Sequence, residues 1–360
     1  MAQLIPFVGF IMFGILSVPM GLYQDKKGKK KVMILGLLIA LIGLVIPMLN
    51  GMYGKTVIFN PGEYFSFYIL LISILLLCAG ATILQVVGNP VMRDVSPEGK
   101  YSKNLSLDQF VKSIGSSLGF LLPPFVAMAF GGDWSILFPV YAISVIITLF
   151  LVSSLKFSQH KSAESKPATI KSCLSLLSNN YVLIMVMAIF LYVGSEISMS
   201  SGVPILLKVN FGLKGFGLWI SWALFFLPIL LGRFGGSIVL SHIPANKFFI
   251  ATVIVSIIGV LFMFIPLEII AFTGVIIVGL GFANIFPLVF SITIDRMPER
   301  SNELSGLMVT AIAGGAIVPL IMGKVADYSN ILTIFIVPLF CLVYIAFSAY
   351  VSNKKTLPIV

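Results

Sequence analysis

Long apolar runs fill the chain, and short polar stretches interrupt them at fairly regular intervals. The runs lie at about 4–22, 32–49, 66–92, 107–130, 134–155, 181–207, 216–240, 247–265, 268–294, 303–325 and 331–352. Each holds roughly 18 to 27 residues, enough for a helix to cross a hydrocarbon layer of ~30 Å. The pattern predicts an all-α, polytopic membrane protein with about eleven spans. The longest polar interruption, Lys156 to Asn180, is rich in Ser and Lys and reads as a cytoplasmic linker. It divides the chain into a five-helix bundle at 1–155, a linker at 156–180 and a six-helix bundle at 181–360.

Composition narrows the class. The 360 residues are 59% hydrophobic and only 10% charged, against about a quarter charged in soluble domains. No sizeable soluble domain fits. The net charge of +10 is spread over separate short loops, so it reports topology rather than nucleic-acid binding. Loops expected on one side hold 18 of the 23 Lys and Arg, while those around Lys55, Asp133, Lys208 to Lys214 and Glu268 hold three. The richer side is cytoplasmic by the positive-inside rule. Cys78, Cys173 and Cys341 are not placed to form an exofacial disulfide framework. The start, Met-Ala-Gln-Leu-Ile-Pro, lacks the basic region of a signal peptide, so the first run is kept as a span. His160 and His242 fall in cytoplasmic loops, and neither a phosphate-binding Gly-Lys loop nor a Cys/His metal spacing is present. The chain is therefore not expected to be an enzyme, to be driven by ATP, or to hold a metal or other cofactor beyond a coupling proton or sodium ion.

A weak repeat relates the two halves. Gly119-Phe-Leu-Leu-Pro123 recurs as Gly315-Ala-Ile-Val-Pro319, and Asn89-Pro90 falls opposite Asn284 to Pro287 at nearly the same offset. Two parallel halves of six spans each are the arrangement of the major facilitator superfamily. With five spans before the linker, the first half is expected to lack its first helix, which puts Met1 on the outer face. The turn after the first span, Gly21-Leu-Tyr-Gln-Asp25-Lys26-Lys27-Gly28-Lys29-Lys30-Lys31, resembles the signature between helices 2 and 3 of that superfamily. Physically, Gly21 permits close helix approach, Asp25 suits a neighbouring helix N-terminus or a base, and the lysines hold the turn in the cytoplasm. A conformational latch at Gly21, Asp25, Lys26, Gly28 and Lys30 is one reading; a solvated basic turn is the other. Arg233, in Gly232-Arg-Phe-Gly-Gly236, is expected to anchor the cytoplasmic turn of its span and to join the latch.

Further patches resemble the L-fucose permease and glucose/galactose porter family: Gly88-Asn89-Pro90, Leu105 to Gly115, Tyr192-Val-Gly-Ser-Glu196, Gly232-Arg-Phe234, Ile285-Phe-Pro287 with Phe290-Ser291, and Ser305-Gly306 through Gly315 to Asp327. The resemblance implies secondary active uptake of a monosaccharide with a proton or sodium ion, by a protein acting as a monomer in the plasma membrane (the bacterial inner membrane). Two positions depart from the family pattern. Gln85 stands where the family has a glutamate, and Lys112 where it has an asparagine; both favour an organic-anion carrier or an exporter as the alternative. A degenerate, non-transporting membrane protein is the alternative of another class.

Glu196 is the one carboxylate deep within a span, about 22 Å along its helix. It is expected to line a central cavity as hydroxyl acceptor, proton carrier or sodium ligand, or else to bond a neighbouring helix. Lys112, at about 9 Å from the cytoplasmic end, either pairs with Asp108 four residues earlier or presents its charge to an anionic substrate. The difference in depth argues against a direct Lys112–Glu196 bridge. Trp219 and Trp222 suit interface anchors, although one ring, that of Trp222, is also a candidate to stack on a sugar. Gln109, Asn89, Asn284 and Tyr192 add neutral groups able to read hydroxyls.

Overall fold

The structure is a computed structural model that describes residues 4–52, 64–130, 134–155, 169–213 and 217–354. Lys55, Asp133, Lys214, His160 and the linker from Lys156 to Ala168 lie outside the described residues. No strand is present among the described residues. Ten helical stretches are long and apolar enough to cross a membrane, and α1 (Leu4–Lys27) precedes them as a helix of 24 residues. The first half continues with α2 (Lys29–Leu49), α3 (Phe65–Val95), α4 (Tyr101–Phe130) and α5 (Leu137–Ser154). A short helix, α6 (Ile170–Ser175), lies in the linker. The second half comprises α7 (Asn180–Asn210), α8 (Gly217–Ser221), α9 (Leu227–Val239), α10 (Ala245–Met263), α11 (Glu268–Phe282), α12 (Ile285–Arg296), α13 (Ser301–Thr310), α14 (Gly314–Tyr328) and α15 (Ile336–Asn353). This is an all-helical, multi-pass integral membrane protein.

Three of the described spans are interrupted, and in two of them proline explains the break. Pro228 has no N–H to donate, and a π-turn over Trp222–Phe226 joins α8 to α9, with the Leu227 N–H reaching back to Trp222 O. Pro287 likewise cannot donate to Ala283 O, so one apolar run becomes α11 and α12 with a break at Ala283 and Asn284. The span from 298 to 328 is divided into α13 and α14 by a tight turn over Ala311–Ala313. Helices also run past the expected spans. Asp25, Lys26 and Lys27 belong to the last turn of α1, where lysines complement the helix dipole, and the turn itself contracts to Gly28 at φ 85°. A left-handed φ suits glycine there.

Packing echoes the repeat. In the first half α2 meets α3 where a Cβ on Gly80 would stand 2.6 Å from Gly36 O; in the second, α10 meets α11 where a Cβ on Gly274 would stand 2.7 Å from Gly259 O. Small residues let these backbones touch, the usual means of helix association in lipid. The largest buried cluster fills the second half and reaches Leu22, Val86, Tyr101 and Leu105 of the first. The outer faces of α5 and α10 expose Ile143, Ile147, Phe150, Ile254, Ile258 and Leu261. Such apolar surface fits lipid rather than water.

Candidate functional site

Between the halves lies a cavity of about 380 Å³, walled by α1, α3, α4, α7, α9, α12 and the turn after α13. Its polar wall comes chiefly from α4. Gln109, Lys112, Ser113, Ser116 and Ser117 recur at three- and four-residue spacing and so share one stripe. Because α4 begins at Tyr101, Lys112 sits about 16 Å along its helix rather than 9. Glu196 is about 24 Å along α7. Both line the same cavity. The difference in depth therefore does not separate their surroundings, although no ion pair between them is present. Lys112 Nζ donates to Gln85 Oε1 at 2.6 Å. Of the two readings of Lys112, the ion pair with Asp108 is not formed: Asp108 Oδ2 accepts from Gln109 Nε2 at 3.1 Å, and the Lys112 side chain turns toward α3.

Arg233 corrects another expectation. It does not anchor the cytoplasmic turn: its side chain is buried and lines the cavity. The π-turn sets the phase of this span, so that Phe226, Ile229 and Arg233 face inward together. Arg233 Nη2 contacts Glu196 Oε1 at 3.3 Å. Nη1 donates to Ser113 Oγ at 2.5 Å and to Gln109 O at 3.3 Å, across the boundary between the halves. Nε donates to Ala283 O at 3.1 Å, the carbonyl that Pro287 leaves without its helical partner. One guanidinium thus ties the half-buried carboxylate of Glu196, the broken helix and the opposite half.

Four expected ligands do not line this cavity. Tyr192 Oη donates to Phe282 O at 3.0 Å, and Asn284 Nδ2 donates to Gly232 O at 2.7 Å; both support the break between α11 and α12. Asn89 is buried behind the wall, its carbonyl accepting from Tyr101 Oη at 3.2 Å. Trp222 begins the π-turn, and its Nε1 is buried without a hydrogen-bond partner among the described residues. Gln85, Gln109, Lys112 and Glu196 are the expected residues that do converge. Phe10, Phe13, Ser113, Ser116, Ser117 and Phe226 were not singled out from the sequence. The serines were detectable, since they continue the stripe of Gln109 and Lys112; nothing distinguishes the phenylalanines from ordinary core.

On the side of the cavity that carries the basic turns, the side expected to be cytoplasmic, the halves close on each other. A Cβ on Gly21 would stand 3.0 Å from Asn302 O and 3.1 Å from Gly306 Cα, so α1 and α13 touch backbone to backbone. Asn302 Nδ2 donates to Asp25 Oδ1 at the start of α13. Ser305 Oγ donates to Val86 O at 2.8 Å, Ser102 and Ser291 share a hydrogen bond of 2.7 Å, and Arg93 lies 3.6 Å from Asp295. The lysines brace the first half from within: Lys29 pairs with Asp94 at 2.6 Å, and Lys30 caps the end of α5 at Ser153 O and Leu155 O. Lys26 is exposed. The linker joins this closure. Ser172 Oγ donates to Glu303 Oε1 at 2.6 Å, Arg300 Nη2 donates to Ser172 O at 2.8 Å, and the Cys173 thiol reaches Glu303 O at 3.4 Å. Burial, with Glu303 beside it, pushes the Cys173 thiol up to about 11.

Comparison with known proteins agrees with this architecture. The family model described as Major Facilitator Superfamily matches residues 1–319. A glucose/galactose transporter of Brucella abortus biovar 1 (strain 9-941) is 27% identical over 370 residues, which cover 98% of this chain and 86% of that protein. Among solved structures, the Escherichia coli fucose:proton symporter superposes with a TM-score of 0.83 at 20% identity, covering 99% of this chain and 92% of the other. A proton:xylose symporter bound to 6-bromo-6-deoxy-D-glucose gives 0.71 at 14% identity, covering 95% and 83%. At these identities the structural likenesses bear on the fold.

Proposed function

The chain belongs to the Major Facilitator Superfamily, and we propose that within it this protein takes up a monosaccharide by secondary active transport, coupled to a proton or a sodium ion. The observation that carries the reading is the cavity between the halves, with Glu196 held by Arg233 and Arg233 held by Ser113 of the opposite half. Its volume of about 380 Å³ lies near the lower end of small-molecule sites, roughly 300 to 1,000 Å³. One sugar ring suits it better than an oligosaccharide. The neutral groups on α4 are of the kind that read ring hydroxyls, and Phe10, Phe13 and Phe226 offer faces against which a ring can lie.

Glu196 is the coupling residue in this reading. Binding a proton or sodium ion weakens its attraction for Arg233, whose remaining bonds then run to α4 and to the break after α11. The pairing across the halves thereby depends on the ion, which gives the gradient a differential hold on two conformations. Closure at the cytoplasmic ends supports reading the described state as the one that loads from outside. Opening separates α1 from α13 at Gly21 and Gly306 while the halves rock. The excess of basic residues on the cytoplasmic side and the bacterial relative support placement in a bacterial inner membrane.

Uptake into proteoliposomes tests the reading, with labelled hexoses and hexuronates and with imposed proton or sodium gradients. The native protein is expected to accumulate sugar under one gradient. Glu196→Gln is expected to lose accumulation and to retain exchange of sugar across the membrane. Undiminished uphill uptake by that variant refutes the coupling role.

A further inference from the structure

Three ionised side chains line the cavity, and their charges do not balance. Glu196 and Arg233 form one pair at 3.3 Å, and the rest of the guanidinium is engaged by Ala283 O, Gln109 O and Ser113 Oγ. Lys112 remains. Its Nζ donates to Gln85 Oε1, a neutral acceptor, and its side chain is accessible from the cavity. Asp108, the nearest acid on its own helix, lies one turn toward the cytoplasm, bonds Gln109 and does not line the cavity. An ammonium at this depth in a membrane is costly when its hydrogen bond runs to a neutral amide and the carboxylates of Asp108 and Glu196 act on it only from beyond ion-pair distance. A like charge on Arg233 adds to the demand for an anion.

We propose that Lys112 and Gln85 form the carboxylate-reading end of the substrate site, and that the monosaccharide carried is a sugar acid. This rests on the sugar-carrier reading above and names the class of sugar. The cavity's net charge of one positive unit is balanced by one monoanion. A sugar phosphate, with a charge of about −1.5 to −2 at neutral pH, overshoots that balance as long as Glu196 has not taken up its ion. A simple aliphatic acid supplies the charge but leaves Ser116 and Ser117 of the stripe facing nothing polar, since Gln109 and Ser113 are already engaged by Asp108 and Arg233. Buried polar groups left unpaired discriminate strongly against a ligand that lacks the matching hydroxyls. A hexuronate provides both parts: a carboxylate for Lys112, with the amide N–H of Gln85 as second donor, and hydroxyls for the stripe.

Equilibrium binding to the purified full chain, at fixed ionic strength, tests the assignment. The probes are D-glucuronate and D-galacturonate, their parent hexoses, L-fucose, glucose 6-phosphate and acetate. A charge-assisted bond in a partly dry site predicts that the uronates bind about 10- to 100-fold more tightly than the parent hexoses. Lys112→Gln is expected to erase that ratio by weakening uronate binding about 10- to 100-fold. Gln85→Glu keeps the lysine paired from within and is expected to erase it as well, which preserves the test if Lys112→Gln fails to fold. Hexoses binding as tightly as uronates to the native chain overturn the inference and leave the sugar carrier standing. Acetate matching the uronates, or glucose 6-phosphate exceeding them, overturns it in favour of another anion. Absence of binding by every probe overturns both readings.

Discussion

Gly21 is the position at which a single methyl group should move the balance between conformations. A Cβ there would stand 3.0 Å from Asn302 O, 3.1 Å from Gly306 Cα and 3.4 Å from Gly306 N. All three neighbours are backbone atoms of the opposite half, so no side chain can swing aside to make room. Either α1 and α13 separate by a few tenths of an ångström or the cytoplasmic side opens. Overpacking of this kind costs about 1 to 3 kcal/mol. If the clash exists only in the closed state, the whole cost enters the equilibrium between closed and open forms, a shift of roughly 5- to 150-fold.

Thiol accessibility measures that shift. Ser102 is buried at the boundary, bonded to Ser291 of the other half. In a background without Cys78, Cys173 and Cys341, Ser102→Cys places a reporter where an impermeant maleimide in inside-out vesicles reaches it only after opening. Gly21→Ala is expected to speed its modification by roughly 5- to 150-fold. Gly88→Ala, where an added Cβ meets nothing within 4 Å, is expected to leave the rate unchanged. A rate unaltered by Gly21→Ala in folded protein would show that α1 and α13 do not part during opening, and the latch reading would fall.

Two further outcomes follow from particular contacts. The Cys173 thiol, held up at about 11 by burial and Glu303, stays protonated at neutral pH and is expected to resist maleimide in the native chain. Its raised value in the docked linker means that the contribution of this thiol to docking is fully present below the ordinary value of 9.0 and is lost as pH rises through about 11. Labelling against pH should thus rise more steeply than thiolate formation alone predicts; reactivity like that of a free thiol at pH 7 would contradict the docking of α6. Within the second half, a Cβ on Gly194 would collide with Val318 of α14. Gly194→Ala is expected to cost about 1 to 3 kcal/mol of stability, seen as a lower thermal midpoint in detergent, and an unchanged midpoint would refute that packing.

Span length carries most of the legible fold, because a helix in lipid must satisfy every backbone group within itself for the full width of the bilayer. Hydropathy finds the core of each span but not where the helix stops. Tyr101 to Ser106 are polar enough to look like loop, yet they form the first turns of α4. That extension moves Lys112 deeper, while its hydrogen bond to Gln85 rather than Asp108 comes from the side chain turning toward α3. Arg233 was misplaced for a related reason. It lies about 9 Å from the cytoplasmic end of α9, close enough to be counted with the basic loops, while its side chain points into the cavity. Which way a side chain points depends on the π-turn at Trp222–Phe226, and no periodicity in the sequence announces that turn beyond the bare presence of Pro228.

Tyr192 and Asn284 show why polar residues within spans are ambiguous. Both looked like hydroxyl readers, and both instead hold the break that Pro287 imposes: Tyr192 takes Phe282 O, Asn284 reaches Gly232 O, and Arg233 takes Ala283 O. A broken helix at the midplane survives only where protein satisfies its freed carbonyls, so these side chains are fixed by the backbone before any ligand arrives. Arg233 belongs to both groups. Its Nε is committed to the break, while Nη1 and Nη2 reach Ser113 across the boundary and Glu196 beside it. Anchoring at one end keeps the other end in register, so a change of charge at Glu196 is felt at the contact between α4 and α9 rather than lost in a flexible side chain. The same anchoring leaves Lys112 as the ionised group of the cavity wall whose hydrogen bond runs to a neutral amide, and on that difference the proposed division of labour between ion coupling and substrate recognition rests.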